Sequence, residues 1–182
     1  MYTKLLFGAI TLLLCAACNA QEPAYLYSPP FQKGKNFLVV QGFHGDYSHN
    51  TPIAQYAVDL ALPEGEPVCA ARAGTVIDLY DGQEITKSHF VYIQHEDGSI
   101  GDYEHLLLSS VQVTLDQEIK EGQCFAKTGS TGNSSGPHLH FAVLTRKGLL
   151  SLTLVSKPFY FNSQNGAVVP NYLTWIDNVF QR

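Results

Sequence analysis

Thr128-Gly129-Ser130-Thr131-Gly132-Asn133-Ser134-Ser135-Gly136-Pro137-His138-Leu139-His140-Phe141 joins two kinds of chain. Residues 130–136 are too rich in Gly, Ser and Asn for regular structure and read as a loop. The loop delivers the chain into His138-Leu139-His140-Phe141-Ala142-Val143-Leu144, which reads as a strand. Alternate residues of a strand point to the same side, so His138 and His140 are expected side by side on one face. Two adjacent imidazoles are costly to bury without a partner, and a metal ion, alone or with a reacting group, removes that cost. A His-x-His pair by itself is a common accident, so its weight rests on what surrounds it.

Outward from this strand, short runs of β-forming residues are punctuated by Gly and Pro. Phe37-Leu38-Val39-Val40, residues 56–62, Pro67-Val68-Cys69-Ala70-Ala71 and residues 74–80 are of this kind. Residues 89–95 alternate, and Glu96-Asp97-Gly98-Ser99 turns them into residues 100–106, which predicts a hairpin. A further β unit is expected over residues 123–127, and only residues 172–180 show weak helical periodicity. The spacing is that of an all-β fold: one antiparallel domain at residues 41–147, after an extended surface arm at 21–40 in which Pro29-Pro30 excludes helix. Residues 148–182 are expected as a tail, with Phe159-Tyr160-Phe161 and residues 172–175 packed as edge segments or, less simply, lining a groove.

The chain has 182 residues, 45% of them hydrophobic, enough for one sizeable core. A formal charge of −5 provides no basic footprint for nucleic acid or an anionic membrane surface. Residues 1–20 read as an export signal: Lys4 precedes an apolar run at 5–17 too short to span a bilayer. Either the signal is cleaved around Cys18-Asn19-Ala20 or Cys18 becomes the acylated first residue of a lipoprotein, the only membrane link expected. The protein is therefore expected to be periplasmic, anchored in the outer membrane or secreted. Cys69 and Cys124 then form either one disulfide or two separate small core residues.

The loop and its His-x-His strand, with an earlier His49 and Asp59, resemble the lysostaphin/LytM-type zinc metallopeptidases. The resemblance extends to Tyr56-Ala57-Val58-Asp59, to Pro63-Glu64-Gly65-Glu66-Pro67-Val68, and to Tyr103-Glu104-His105-Leu106, in family order over residues 41–144. It implies one Zn²⁺ held in a groove by His49, Asp59 and His140, with His105 and His138 as the catalytic pair, their division of roles open. Three protein ligands of mixed N and O type leave a fourth position for water, as in catalytic rather than closed structural zinc sites. The implied activity is hydrolysis of peptide cross-links or stem peptides in bacterial peptidoglycan. The alternative is a non-catalytic regulator of the same fold that binds a wall hydrolase or the wall itself; a carbohydrate-binding β module would leave the histidines unexplained.

One spacing departs from many members of that family, in which the first histidine lies four residues before the aspartate; Gln55 stands there, and His49 lies ten before. His44 is the other nearby candidate. His89 and His95 read as solvent-facing or hydrogen-bonding, and Asp46, Asp78 and Asp97 as solvated.

Overall fold

The alternating runs fold as strands with one row of side chains in the main core; the other row carries Glu104 and His140 toward a groove and, further along, Ile100, Ala142 and Leu144 into a second small buried cluster. The computed structural model describes residues 25–148, 151–163 and 166–178. The expected signal at 1–20, with Cys15 and Cys18, lies outside them. In chain order the strands are β1 (Tyr25–Tyr27), β2 (Asn36–Gln41), β3 (Val58–Leu60), β4 (Pro67–Cys69), β5 (Gly74–Tyr80), β6 (Phe90–Gln94) and β7 (Ile100–Glu104). There follow β8 (Glu118–Ile119), β9 (Cys124–Lys127), β10 (Leu139–Arg146), β11 (Leu154–Ser156), β12 (Phe159–Ser163), β13 (Gly166–Val168) and β14 (Trp175–Asp177). The described residues contain no helix.

A large antiparallel sheet runs β14-β2-β3-β10-β7-β6-β5-β8, with β11 also paired to β10. The predicted hairpin is β6 and β7, joined through residues 95–99 and paired from Val91↔Tyr103 to Gln94↔Ile100. β4 and β9 form a separate antiparallel pair, and β1-β12-β13 a small sheet in which β1 and β12 run parallel. Cys69 and Cys124 face each other across β4 and β9 and are disulfide-bonded.

Period-two alternation sets the core. Leu139, Phe141 and Val143 of β10 and Tyr103 of β7 point inward with Val91, Ile93, Val58 and Leu60, all fully buried. Tyr27, Phe159 and Phe161 close this core in ring contacts around Phe141, edge-to-face except for the tilted Phe141–Phe161 pair, while Phe31 packs edge-to-face on Phe37. Each such aromatic contributes about 2 kcal/mol of burial.

Three expectations are corrected here. The stretch read as a surface arm is extended, but Tyr27 to Phe31 is buried, because two large aromatic side chains gain more in the core than on the surface. Its last residues already belong to β2 in the large sheet. Phe159-Tyr160-Phe161 is the central strand of the small sheet with both phenylalanines in the core, not an edge or a groove wall. The weak helical periodicity noted at 172–180 forms no helix over 172–178, its described part, where strand β14 stands instead, since Ile176 is drawn onto Phe37 of β2 and pairing along the sheet edge satisfies the backbone.

Candidate active site

The outward row of β10 meets β3 on one side and β7 on the other, in the registers His140↔Asp59 and His140↔Glu104. A bulge in β2 between Val39 and Gln41 aligns Gln41 with Asp59. The loop after β2 folds back so that His49 reaches the same point, held by a backbone bond from its N–H to Gly45 O at 3.0 Å. His49, Asp59 and His140 each present a ligand-type atom, all within 4.8 Å of one another. His44 is not among them: it lies exposed, its ring 4.8 Å from that of Tyr56.

The hydrogen bonds fix the tautomers. A carbonyl oxygen only accepts, so His49 donates through Nδ1 to Gly42 O at 2.9 Å and keeps a lone pair on Nε2. That Nε2 is buried, has no hydrogen-bond partner among the described residues, and faces Asp59 Oδ1 at 3.3 Å. His140 Nδ1 lies 2.9 Å from the same oxygen. Gln41 donates from Nε2 to Asp59 Oδ2 at 2.8 Å and to Ser48 Oγ at 2.8 Å.

The electrostatics follow from this convergence. Burial works against the Asp59 carboxylate, yet the imidazoles that converge on it, His140 before His49, outweigh it and hold the group well below the usual range. Burial likewise works against a charged His140, but Asp59 carries its pKa up to about 9. A lone pair on His49 aimed at an anionic oxygen calls for a cation between them. The His140 proton partly meets that need in the metal-free chain, and a metal ion would replace the proton on binding. The donor set, two nitrogens and one carboxylate oxygen, is one that fits zinc.

Two further histidines border this trio. His105 follows β7 at a φ of 61°, the left-handed region that costs a non-glycine residue energy. Its Nδ1 donates to Thr131 O at 2.7 Å and its backbone carbonyl accepts from Gly129 N at 3.0 Å. His138 donates from Nδ1 to Gly136 O at 2.8 Å, and its Nε2 lies 3.8 Å from Asp59 Oδ1. Both rings therefore keep Nε2 free, 4.6 Å apart between centroids. Burial first, then the neighbouring His138 ring, push His105 below its ordinary value, which favours the neutral imidazole.

The loop of residues 128–137 holds these rings. A Cβ on Gly129 would lie 2.6 Å from Leu107 Cα, so only glycine passes there. Thr131 accepts from His89 N at 3.0 Å and donates to Leu106 O at 2.9 Å, tying the loop to the end of β7. A groove of about 330 Å³ runs over the site between this loop and Val40, Gln41, Tyr47 and Ser48. Beside it a second cavity of about 200 Å³ reaches down past His140 to Asp102 and Glu104.

The other predicted residues lie elsewhere. His89 is buried against Asp81 at 3.1 Å, and His95 donates to Ala73 O at 2.8 Å, so both hydrogen-bond and neither faces solvent. Asp46, Asp78 and Asp97 are exposed. Sequence reasoning passed over Gln41, Thr131 and Asp102. Gln41 and Thr131 look like ordinary polar residues until the register is known. Asp102 carried a usable signal, a carboxylate in an alternating strand on the row of Ile100 and Glu104. It is 2% exposed, and burial, then the charge of Glu104, push its carboxyl well above the usual range.

The chain is similar in part to known proteins. The peptidoglycan DD-endopeptidase ShyA of Vibrio cholerae is 33% identical over 93 residues, 48% of this chain and 20% of its own length. The cell division protein DipM of Caulobacter vibrioides is 33% identical over 85 residues, 46% of this chain and 13% of its own. This chain thus spans a fifth or less of these two relatives. Among solved structures, a catalytic-domain variant of the prophage-encoded M23 protein EnpA from Enterococcus faecalis aligns with a TM-score of 0.51 at 25% identity, covering 67% of this chain and 88% of that one. Residues 54–151, over half of the chain, match the family described as peptidase family M23, and to that family this protein belongs.

Proposed function

We propose that the protein is a zinc-dependent endopeptidase that hydrolyses peptide cross-links or stem peptides of bacterial peptidoglycan. The observation that carries this is the buried, partnerless His49 Nε2 beside Asp59 Oδ1, with two more histidines holding free Nε2 atoms over the same point. A regulator that only docks a partner in the groove has no use for such a set. The named activity of ShyA supports peptidoglycan as the substrate class.

In this reading His49 Nε2, Asp59 Oδ1 and His140 Nδ1 hold the metal, and Gln41 fixes the carboxylate. A bound zinc ion polarises the scissile carbonyl and acidifies water. His105 or His138 accepts the water proton at Nε2 and returns it to the departing amine nitrogen, so the C–N bond breaks without releasing an amide anion. The other ring donates to the developing oxyanion once it is itself protonated. Backbone carbonyls at Thr131 and Gly136 keep both rings in the tautomer this needs.

The disulfide supports an exported protein, since such bonds persist in oxidising compartments. Attachment through acylated Cys18, or secretion without it, belongs to this proposal and is read from the mass of the mature N-terminus. Incubation with purified peptidoglycan, with and without a zinc chelator, tests the function. Chelator-sensitive fragments with new peptide termini are expected; intact wall from folded, zinc-loaded protein contradicts it.

A further inference from the structure

Residues 81–89 join β5 to β6, and their last two residues bracket His105. Ser88 Oγ accepts from His105 N at 3.3 Å and donates to Glu104 Oε2 at 2.9 Å. His89 O accepts from Leu106 N at 3.0 Å, and His89 N donates to Thr131 Oγ1 at 3.0 Å. Thr131 in turn supplies the carbonyl that accepts from His105 Nδ1 at 2.7 Å. One backbone position, residue 89, therefore holds both the chain next to His105 and the acceptor for its ring. Gly132 closes onto the same segment: its N–H donates to Ile85 O at 2.9 Å, and at its φ of 74° a Cβ would lie 2.6 Å from Ser88 N.

Residue 89 is itself anchored by its side chain. The His89 ring is fully buried, with Nδ1 3.1 Å from Asp81 Oδ1 and Nε2 3.3 Å from Glu84 O. Both partners accept, so the ring is pinned at each nitrogen. Asp81 is tied down in the same way, taking Ser109 N at 2.8 Å on Oδ1 and Val111 N at 3.2 Å on Oδ2. A buried polar pair gains little over apolar packing of the same volume, so stability alone does not account for it. His105 does need a directional anchor, because its φ of 61° costs energy and persists where the surroundings over-determine it.

Resting on the proposed hydrolase function, we infer that His89, held by Asp81, is a positioning residue for His105. Its ring keeps residue 89 in place, and with it Leu106 N and Thr131 O, so that His105 stays protonated on Nδ1 with Nε2 free. Without the ring, residues 81–89 lose their grip and Thr131 O leaves Nδ1. His105 then samples the tautomer with its proton on Nε2, which has no lone pair to offer a reacting proton there.

The test compares zinc-loaded His89→Leu and Thr131→Val with wild type, and adds Thr131→Ser as the variant that keeps the hydroxyl. Per folded, zinc-loaded molecule, kcat is expected to fall by about ten- to hundredfold in the first two, the cost of a displaced catalytic group, with KM and zinc content unchanged. Thr131→Ser should recover most of the rate. Where His89→Leu fails to fold, His89→Asn, which keeps a donor for Asp81 and loses the one to Glu84 O, takes its place. A purely structural role would lower the unfolding midpoint and leave kcat per folded molecule at the wild-type value, which overturns the proposal.

Nitrogen NMR shifts of the His105 ring read its tautomer without turnover. Wild type is expected to show the proton fixed on Nδ1, and the His89 variant an average over both tautomers. If wild type cuts no wall peptide, yet its His105 tautomer is fixed and becomes averaged in the His89 variant, the positioning stands and the hydrolase reading falls. If wall peptide is cut and the tautomer is as fixed in the variant as in wild type, the hydrolase stands and the positioning is overturned.

Discussion

Gln41 donates through Nε2 to Asp59 Oδ2 at 2.8 Å, which leaves Oδ1 facing the imidazoles of His49 and His140 at 3.3 and 2.9 Å. Partners that orient a metal ligand tune affinity almost as strongly as the ligands themselves. Gln41→Ala is therefore expected to weaken zinc binding by about ten- to hundredfold, measured by competition with a chromophoric chelator. Wild-type affinity in this variant would remove Gln41 from the account.

The two histidines of the His-x-His strand should separate by function. His140→Ala loses both zinc and cleavage, because it removes one of three ligands. His138→Ala keeps zinc and loses about 10²- to 10⁴-fold in kcat, the usual worth of a positioned acid or base. Metal content by mass spectrometry alongside peptide turnover reads both. Equal zinc loss in the two variants would refute the division.

Acid stability should depend on His95, which is far from the proposed ligands in the chain and buried under Tyr27 with rings 5.4 Å apart. Burial lowers its pKa from the ordinary 6.5, opposed by its bond to Ala73 O. The unfolded chain therefore takes up the proton first on acidification. The contribution of neutral His95 is complete above about pH 6.5 and is lost as pH falls toward the folded value, by at most about 1.4 kcal/mol per unit. Denaturant unfolding of the metal-free protein between pH 7.5 and 5 should show a shallower loss in His95→Asn than in wild type. Identical slopes would exclude this source.

The disulfide spans 55 residues of sequence between β4 and β9. Loop-closure entropy assigns it about 4 kcal/mol. Reduction, or the Cys69→Ala/Cys124→Ala double variant, should lower the denaturant midpoint accordingly while the remaining strands still form. An unchanged midpoint would mean that packing at β4 and β9 carries the contact alone.

Much of this was legible in the sequence, for identifiable reasons. Period-two alternation and Gly or Pro punctuation mark β5 and β6, while β7 and β10, buried on both faces over most of their length, are marked by their β-forming residues. The resemblance to lysostaphin/LytM-type enzymes agrees with the match to peptidase family M23. What the sequence hid depends on register. The partners of Gln41 are set by a bulge, and the positive φ of His105 by a loop that closes over it. The buried placement of Tyr27 and Phe31 was missed because a Pro-rich, polar stretch reads as surface, whereas two rings suffice to pull it into the core. Asp102 stands on the same strand row as Ile100 and Glu104, a usable signal, but its burial follows only from its neighbours across β6 and β10.

Turnover measured against added zinc tests the central claim most directly. Chelator-stripped protein, shown to be folded, is titrated with Zn²⁺ while release of peptide from purified peptidoglycan is followed. The account predicts no release at zero zinc, a linear rise, and saturation at one equivalent per chain. Release that is independent of zinc, or none at any loading, would contradict it.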